Sequence, residues 1–276
     1  MDMSGLGGGF RRIYGVVIGI VVDHNHDNGE YRVKVKFPWL RDKTDAGDKE
    51  DFLSSWARIS TVMAGKDMGF WCLPEKEDEV LVMFEHGDPR RPIVIGSVWN
   101  GKDTPPVEGI GKGPEDSTDP MGQKLNIKTA CKDTTDKGGK NRARFFLSRS
   151  GHLLLFDDAK DQNDEKIVLK TKRGHTLVLN DAKGKESIAL YDSNGEEYLH
   201  IDEKNKKITI ETKNGDIDVF CKKGTFNLEA KDIKLKASNT IEAKSDKSTK
   251  HESGTTFDIK AGGDCTIKGG PNINLN

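Results

Sequence analysis

From residue 208 onward the chain places two apolar residues at i and i+2 and repeats the pair about every eight residues. The pairs begin at Ile208, Ile217, Phe226, Ile233, Ile241, Phe257, Cys265 and Ile273, with intervals of 9, 9, 7, 8, 16, 8 and 8 that skip one beat at "STKHESG". Upstream, "EKIVLKTKRG", "ESIALYDSNG" and "KKITIETKNG" share one plan on a period of 20 to 21 residues. Each has a glycine seven residues after its first isoleucine, at Gly174, Gly195 and Gly215. Spacing of i, i+2 puts both apolar side chains on one face of a strand and the intervening Lys, Asp, Glu, Asn and Thr on the other. A sustained period of this kind marks a solenoid-type β structure.

Such short strands pose a packing problem. Each offers two or three inward apolar side chains, too few for one chain winding on itself to enclose much core. Three chains around one axis would place three strands in each layer, with their apolar pairs meeting at the centre and backbone hydrogen bonds running between chains. The expected needle core is Ile208, Ile210, Ile217, Val219, Phe226, Leu228, Ile233, Leu235, Ile241, Phe257, Ile259 and Ile267. Cys221 and Cys265 fall on the same register as small apolar fillers. The last pair, Ile273 and Leu275, would leave an apolar triangle with open strand edges, a docking surface. The alternative is a single-chain meander or β-solenoid.

The first third of the chain is built differently. "IYGVVIGIVVD", "YRVKVKFPW", "SWARIST", "FWCLP", "EVLVMFEHG" and "RPIVIGSVW" are strand-like blocks separated by turn signals such as "KTDAGDK" and "GDPRR". In the second block Val33, Val35 and Phe37 share one face and Arg32, Lys34 and Lys36 the other. Short strands with such turns and no amphipathic helix imply a small closed barrel over residues 13–100. Residues 1–12 read as an arm, 101–143 as a Gly/Pro-rich linker with at most a short strand at Leu125–Ile127, and 144–276 as the repeat region.

Composition excludes several classes. Lys and Arg number 44 against 45 Asp and Glu, a net charge of −1, so no whole-chain field draws in nucleic acid. No apolar run approaches the length of a membrane span, and "MDMSGLGGGFRR" lacks a signal-peptide core. The four cysteines are scattered without a CxxC pair, as in a protein made in a reducing cytoplasm.

Candidate chemistry is sparse. Gly96-x-x-x-x-Gly101-Lys102 after an apolar run has phosphate-loop spacing, but Asp103 stands where the metal-binding Ser or Thr is needed, and Pro105 and Pro106 forbid a helix starting there. His24-x-His26 with Asp23 and Asp27 sits in "DHNHDNG", whose Asn28-Gly29 signals a hairpin turn rather than a metal site. His152, His175 and His200 recur near Asp157, Asp158, Asp181 and Asp202, which favours a stacking role over three active sites. Glu75, Glu77, Asp78 and Glu79 read as an acidic turn. No catalytic, cofactor-binding or metal residue is assigned, and no enzyme activity is expected.

The barrel region carries a specific resemblance. "YRVKVKFPWLRD" (31–42), "SSWARIST" (54–61) and "GFWCLPEKEDEVLVMFEHGDPRRPIVIGSVWNG" (69–101) resemble the OB-fold domain of the VgrG and phage-baseplate spike family. The shared elements are a basic strand ending in F-P-W, then W-x-R-[IV], then G-x-x-x-x-P-x-x-x-[DE]-E-V-L-V-x-F, then G-D-P-x-R-P. The octads are similar to that family's needle. The resemblance implies an all-β chain, an OB-fold barrel followed by an intertwined triple-stranded β-helix in a homotrimer. It also implies a mechanical role, a central spike of a contractile injection system that pierces the target envelope. Implied partners are a hub or baseplate protein at the N-terminal end, a PAAR-type tip protein at the C-terminus, and possible effectors. The protein would be made in the bacterial cytoplasm and built into a phage-tail-like particle. The family's usual hub domain does not fit into residues 1–12, and the linker is too short for the lysozyme some members carry. Two other functions compete: a trimeric receptor-binding fibre, and an OB-fold nucleic-acid binder using Arg32, Lys34, Lys36, Phe37 and Trp39.

Overall fold

A computed structural model describes residues 12–25, 31–43, 49–106, 117–132, 139–159 and 163–270. The chain divides into two units, Met1–Ile217 and Asp218–Asn276. It is all-β apart from one six-residue helix and a 3-10 turn at Glu85–Gly87 among the described residues.

Eight strands form the first region: β1 (Val16–Asn25), β2 (Arg32–Lys43), β3 (Lys49–Leu53), β4 (Arg58–Ile59), β5 (Ala64–Gly65), β6 (Met68–Gly69), β7 (Glu79–Phe84) and β8 (Pro92–Ser97). Six of them make one sheet in the order β3-β2-β1-β7-β8-β4, all antiparallel except β4 with β8. The sheet closes on itself because the residue before β4, Ala57, exchanges both backbone hydrogen bonds with Val33 of β2 (3.1 and 2.7 Å). Register shifts at Val21/Asp23 and Leu81/Val82 supply the local bending that closure requires. The alternation in β2 does what the pattern demanded. Val33, Val35 and Phe37 are fully buried with Val21, Val80, Val82, Phe84 and Val94, while Arg32, Lys34 and Lys36 are only half-buried. Gly19 marks the tightest point, since a Cβ there would overlap Val35 Cγ1.

The second region is a seven-stranded antiparallel meander: β9 (Ala143–Leu147), β10 (Leu153–Asp157), β11 (Lys166–Lys170), β12 (Thr176–Asn180), β13 (Ser187–Tyr191), β14 (Glu197–Asp202) and β15 (Lys207–Thr212), paired in chain order. The 20-to-21-residue period is therefore one hairpin, not one coil of a solenoid. Its punctuation is a turn in which a glycine N–H returns to the residue three before it: Gly151 to Ser148, Gly174 to Thr171 and Gly195 to Asp192. All three glycines have positive φ, which a side chain would oppose.

The expected linker is in part core. Residues 117–125 fold back as a small hairpin, with Thr118 bridged to Lys124 and Leu125 N–H on the Ser117 carbonyl (2.8 Å). Then α1 (Ile127–Lys132) begins, in place of a strand at Leu125–Ile127. Leu125, Ile127 and Ala130 are buried against Leu153, Leu155, Val168 and Val178. Among the described residues Pro120 and Gly122 belong to the turn of this hairpin, and Leu125, Ile127 and Ala130 anchor the strap.

Residues 218–270 make no strand with themselves, and every one of them is exposed.

Candidate functional site

The meander buries one face and leaves the other bare. On the covered face Leu153, Leu155, Val168, Val178 and Ala189 lie under the strap. The strap is held at one end by Arg142, Asp157, Asp164 and Lys166. Arg142 Nε donates to Asp157 Oδ1 (3.1 Å), Lys166 Nζ lies 2.6 Å from Asp164 Oδ1, and Asn126 of the strap donates to Asp164 Oδ2 (3.1 Å). Two cations meet two anions with little solvent access, so the charges are paired and the cluster is a fastener rather than a reactive centre.

The bare face is apolar along two unbroken rows. Register connects Phe146, Leu154, Leu169, Leu177, Leu190, Leu199 and Ile210 in one row across all the strands. The second row runs Phe156, Ile167, Leu179, Ile188, Ile201 and Ile208. A solvated sheet face should carry polar residues at these positions. Here Ile208 is 67 % exposed, Leu190 and Phe146 both 54 %. Each Leu or Ile left in water forgoes roughly 1.5–3 kcal/mol relative to full burial. Contiguous apolar surface of this kind marks an interface.

The octads continue the pattern in sequence. Ile208 and Ile210 lie on β15, and Ile217, Val219, Phe226, Leu228, Ile233, Leu235, Ile241, Phe257, Ile259 and Ile267 are all at least half exposed within one chain. Cys221 and Cys265 are exposed too. The structure of a single chain brings none of these into a core. Ile273 and Leu275 lie outside the described residues, as do the arm 1–11 and His26.

The other candidate residues settle into local roles. Asn100 closes the Gly96–Lys102 segment as a turn: its Oδ1 accepts the N–H groups of Lys102 (2.8 Å) and Asp103 (2.7 Å), and its Nδ2 donates to Glu79. No helix follows. His24 bonds through Nε2 to the Pro74 carbonyl (2.8 Å). Asp78 caps the acidic turn by accepting Glu75 N–H (2.8 Å). The three recurrent histidines do not stack. His152 and His175 are exposed at turns where their N–H groups bond Ser148 and Thr171 hydroxyls, while His200 is buried on the covered face of β14. Among the described residues no cluster of three His, Cys, Asp or Glu could hold a metal ion.

In the barrel, Asp88 of "GDPRR" accepts Arg90 Nε and backbone N–H (both 3.0 Å), which holds its carboxyl below the usual range and locks the turn between β7 and β8. Phe37 sits in the core, so it cannot serve as a base-stacking platform. Trp39 spends its indole N–H on the Ile18 carbonyl (2.8 Å). A groove beside the β5–β6 hairpin is lined by Tyr31, Met63, Met68, Phe70 and Trp71, an apolar rim that the pattern reading passed over. The bare sheet face was also missed as a face, because the meander's registry cannot be read from strand sequences alone.

Comparison with known proteins agrees with this architecture. Residues 17–99 match the type VI secretion system/phage-baseplate injector OB domain. The chain is similar to the type VI secretion system spike protein VgrG1c of Pseudomonas aeruginosa, 31% identical over 146 residues, 53% of this chain and 19% of that protein. It is 43% identical to VgrG1a of the same organism over 77 residues, 28% of this chain and 11% of the relative. It is 40% identical to the actin cross-linking toxin VgrG1 of Vibrio cholerae over 75 residues, 27% of this chain and 6% of that protein. The matches thus span less than a fifth of these relatives' own length. With the closed barrel, its F-P-W strand and the G-D-P-x-R-P turn in place, residues 17–99 form an OB domain similar to that of the type VI secretion system/phage-baseplate injectors.

Proposed function

We propose that this chain is the structural spike of a contractile injection machine, of the type VI or phage-baseplate kind, and that it works as a homotrimer. The observation that carries the reading is the pair of apolar rows on the bare sheet face, followed in sequence by octads whose described apolar residues are all at least half exposed in one chain. Three sheets with their bare faces turned to one axis would bury both rows, and three octad strands per layer would pair backbones between chains. The straps would remain on the outside. The result is a stiff, narrow rod whose hydrogen bonds cross between subunits, suited to transmitting axial force through an envelope. No bond is made or broken in this role.

The two Pseudomonas aeruginosa relatives named above are spike proteins of a type VI secretion system, and this supports placing the chain at such a machine, made in the cytoplasm and carried to the target envelope by the particle. The N-terminal end would meet a hub or baseplate protein. Ile273 and Leu275 would seat a PAAR-type tip protein, with effectors as further cargo. Light scattering tests the reading directly: the purified chain should run at about 92 kDa, three times 30.6 kDa. A monodisperse monomer at micromolar concentration overturns it. For the tip, deletion of residues 271–276 should abolish capture of a PAAR-type partner while the trimer persists, and unchanged capture refutes the docking site.

A further inference from the structure

Four turns of the repeat region follow one plan, a Ser, Thr or Asp with a glycine three residues later: Ser148–Gly151, Thr171–Gly174, Asp192–Gly195 and Thr212–Gly215. At the first three the glycine N–H returns to the carbonyl three residues back, and φ at the glycine is +94°, +108° and +69°. The side chain that opens the turn then accepts the N–H just after the glycine, from His152 (3.0 Å), His175 (3.1 Å) and Glu196 (2.8 Å). Each time the chain folds back into the next strand of the sheet.

The fourth turn departs from this plan. Gly215 N–H goes to Thr212 Oγ1 (2.9 Å) instead of a carbonyl, so the hydroxyl is used one residue early. The φ of Gly215 lies outside the left-handed region that closes the other three turns. Up to this point the path is pinned: Lys213 N–H donates to the Glu196 carbonyl (3.1 Å) and Asn214 Nδ2 to Glu196 Oε2 (3.0 Å). Just beyond it, between Ile217 and Asp218, the first unit of the chain ends.

This leaves β15 as the last strand of the sheet. In an antiparallel ladder, alternate residues turn both backbone groups toward the same neighbour. Lys213 bonds toward β14, so Glu211 and Thr209 do as well, and Ile208, Ile210 and Thr212 present their N–H and C=O groups to the outer side. Among the described residues no strand pairs with that side. An open edge of this kind is a template for another chain. Its apolar side chains Ile208 and Ile210 are exposed, and the segment after the turn carries the same alternation in Ile217 and Val219, exposed too. Edge and segment match in period and in apolar face.

Building on the homotrimer proposed above, we infer that the outer edge of β15 is paired by residues 216–221 of a neighbouring copy, and that Thr212–Gly215 is where each chain leaves its own sheet for the next. The contact joins one chain's edge to a different surface of another, and a three-fold rotation closes it with no edge left over. Pairing is within the chain before this turn and between chains after it.

Disulfide trapping in the full chain tests the hand-over. Ile210→Cys is combined with Ile217→Cys, with Val219→Cys or with the native Cys221, and the remaining cysteines are replaced by serine. These three positions scan the registers that keep the apolar residues on one face. After mild oxidation, one of the three pairs should give covalent dimer and trimer on a denaturing, non-reducing gel. In the wild-type chain the Ile210 and Thr212 amides should exchange at least about 100-fold more slowly than in an unstructured peptide. A disulfide formed within one chain, running as monomer on the gel, shows fold-back and overturns the inference. So do unprotected Ile210 and Thr212 amides, or the absence of a cross-link at all three positions, in a protein that light scattering shows to be trimeric; these outcomes leave the trimer standing. A monomer in light scattering removes the inference together with the reading it rests on.

Discussion

The barrel and the repeat region solve the same problem in opposite ways. The barrel and the meander at the head of the repeat region are both mainly antiparallel β structure with apolar residues at alternate positions. In the barrel a curved sheet closes through the Val33–Ala57 bridge, so each inward side chain meets another from the same chain, and Val33, Val35 and Phe37 are fully buried. In the meander the sheet stays open. Its strap covers one face, the opposite face keeps Phe146, Leu154 and Leu190 in water, and residues 218–270 that follow bury nothing within the chain. The lesson is that identical local patterning yields a self-sufficient fold only where the sheet can close. Where it cannot, the proposed trimer would supply the missing cover.

The largest effect should come from breaking the repeat side of this contrast. Leu190→Asp and Leu235→Asp would each bring three unpaired carboxylates together at the proposed axis, so trimer should be lost on light scattering. The barrel should keep its own thermal transition. Lys234→Asp, one residue from Leu235 but on the opposite face of its strand, should shift stability by no more than about 0.5 kcal/mol. Equal effects at residues 234 and 235 would show the register to be wrong. Concentration sharpens the same point: melting of the repeat region should rise with protein concentration, and melting of the barrel should not.

Next in size is the fastener that holds the strap. Arg142→Leu removes one cation from a buried set of four charges, leaving Asp157 short of a partner, and should cost about 3–5 kcal/mol by urea unfolding. A cost below 1 kcal/mol would mean that the cluster is less desolvated than its burial implies. On the barrel side, Gly19→Ala forces a Cβ against Val35 Cγ1 and should cost about 1–3 kcal/mol in barrel melting, leaving trimer assembly intact.

The smallest effects concern pH, and they run in opposite directions within one sheet. Burial raises the Asp119 carboxyl above its ordinary value, so its contribution is fully present below the unfolded pKa and fades as pH rises through the folded one. Hydrogen bonds from backbone N–H groups lower Asp192 and Asp202, led by the amide of Asn194 in one case and Asn205 in the other. Their contributions are present above the unfolded pKa and fade as pH falls through the folded one. Acidification below about pH 5 should therefore slow amide exchange in the strap while quickening it in the Asp192 and Asp202 turns, after correction for intrinsic rates. Asp119→Asn should abolish the strap's dependence, since an amide oxygen can still accept from Met121 and Gln123. Tyr191, pushed up to about 12 chiefly by burial, stays neutral throughout this range.

Legibility differed along the chain for physical reasons. The barrel could be read because closure, a two-residue period and turn residues such as Asp88, Gly87 and Asn100 are local signals. The strap could not. Leu125, Ile127 and Ala130 sit among Gly and Pro residues, and their burial depends on a sheet that begins eleven residues after α1 ends. The same holds for Arg142 and Asp157, whose pairing is set by the β9–β10 register. The histidine spacing misled, because a sequence period says where residues recur but not on which face or at which turn they lie.

What the sequence determined by itself is the alternation: which residues of each strand share a face, where the glycine turns fall, and that each octad from residue 208 onward offers only one apolar pair. Only the tertiary structure decided how those faces are used. It turned the 20-residue period into an antiparallel hairpin, covered one face with a segment from outside the repeat, and left Ile167, Leu169, Ile188 and Leu190 on the other. The reason is that alternation is a property of a single strand, whereas coverage depends on register and on segments distant in sequence.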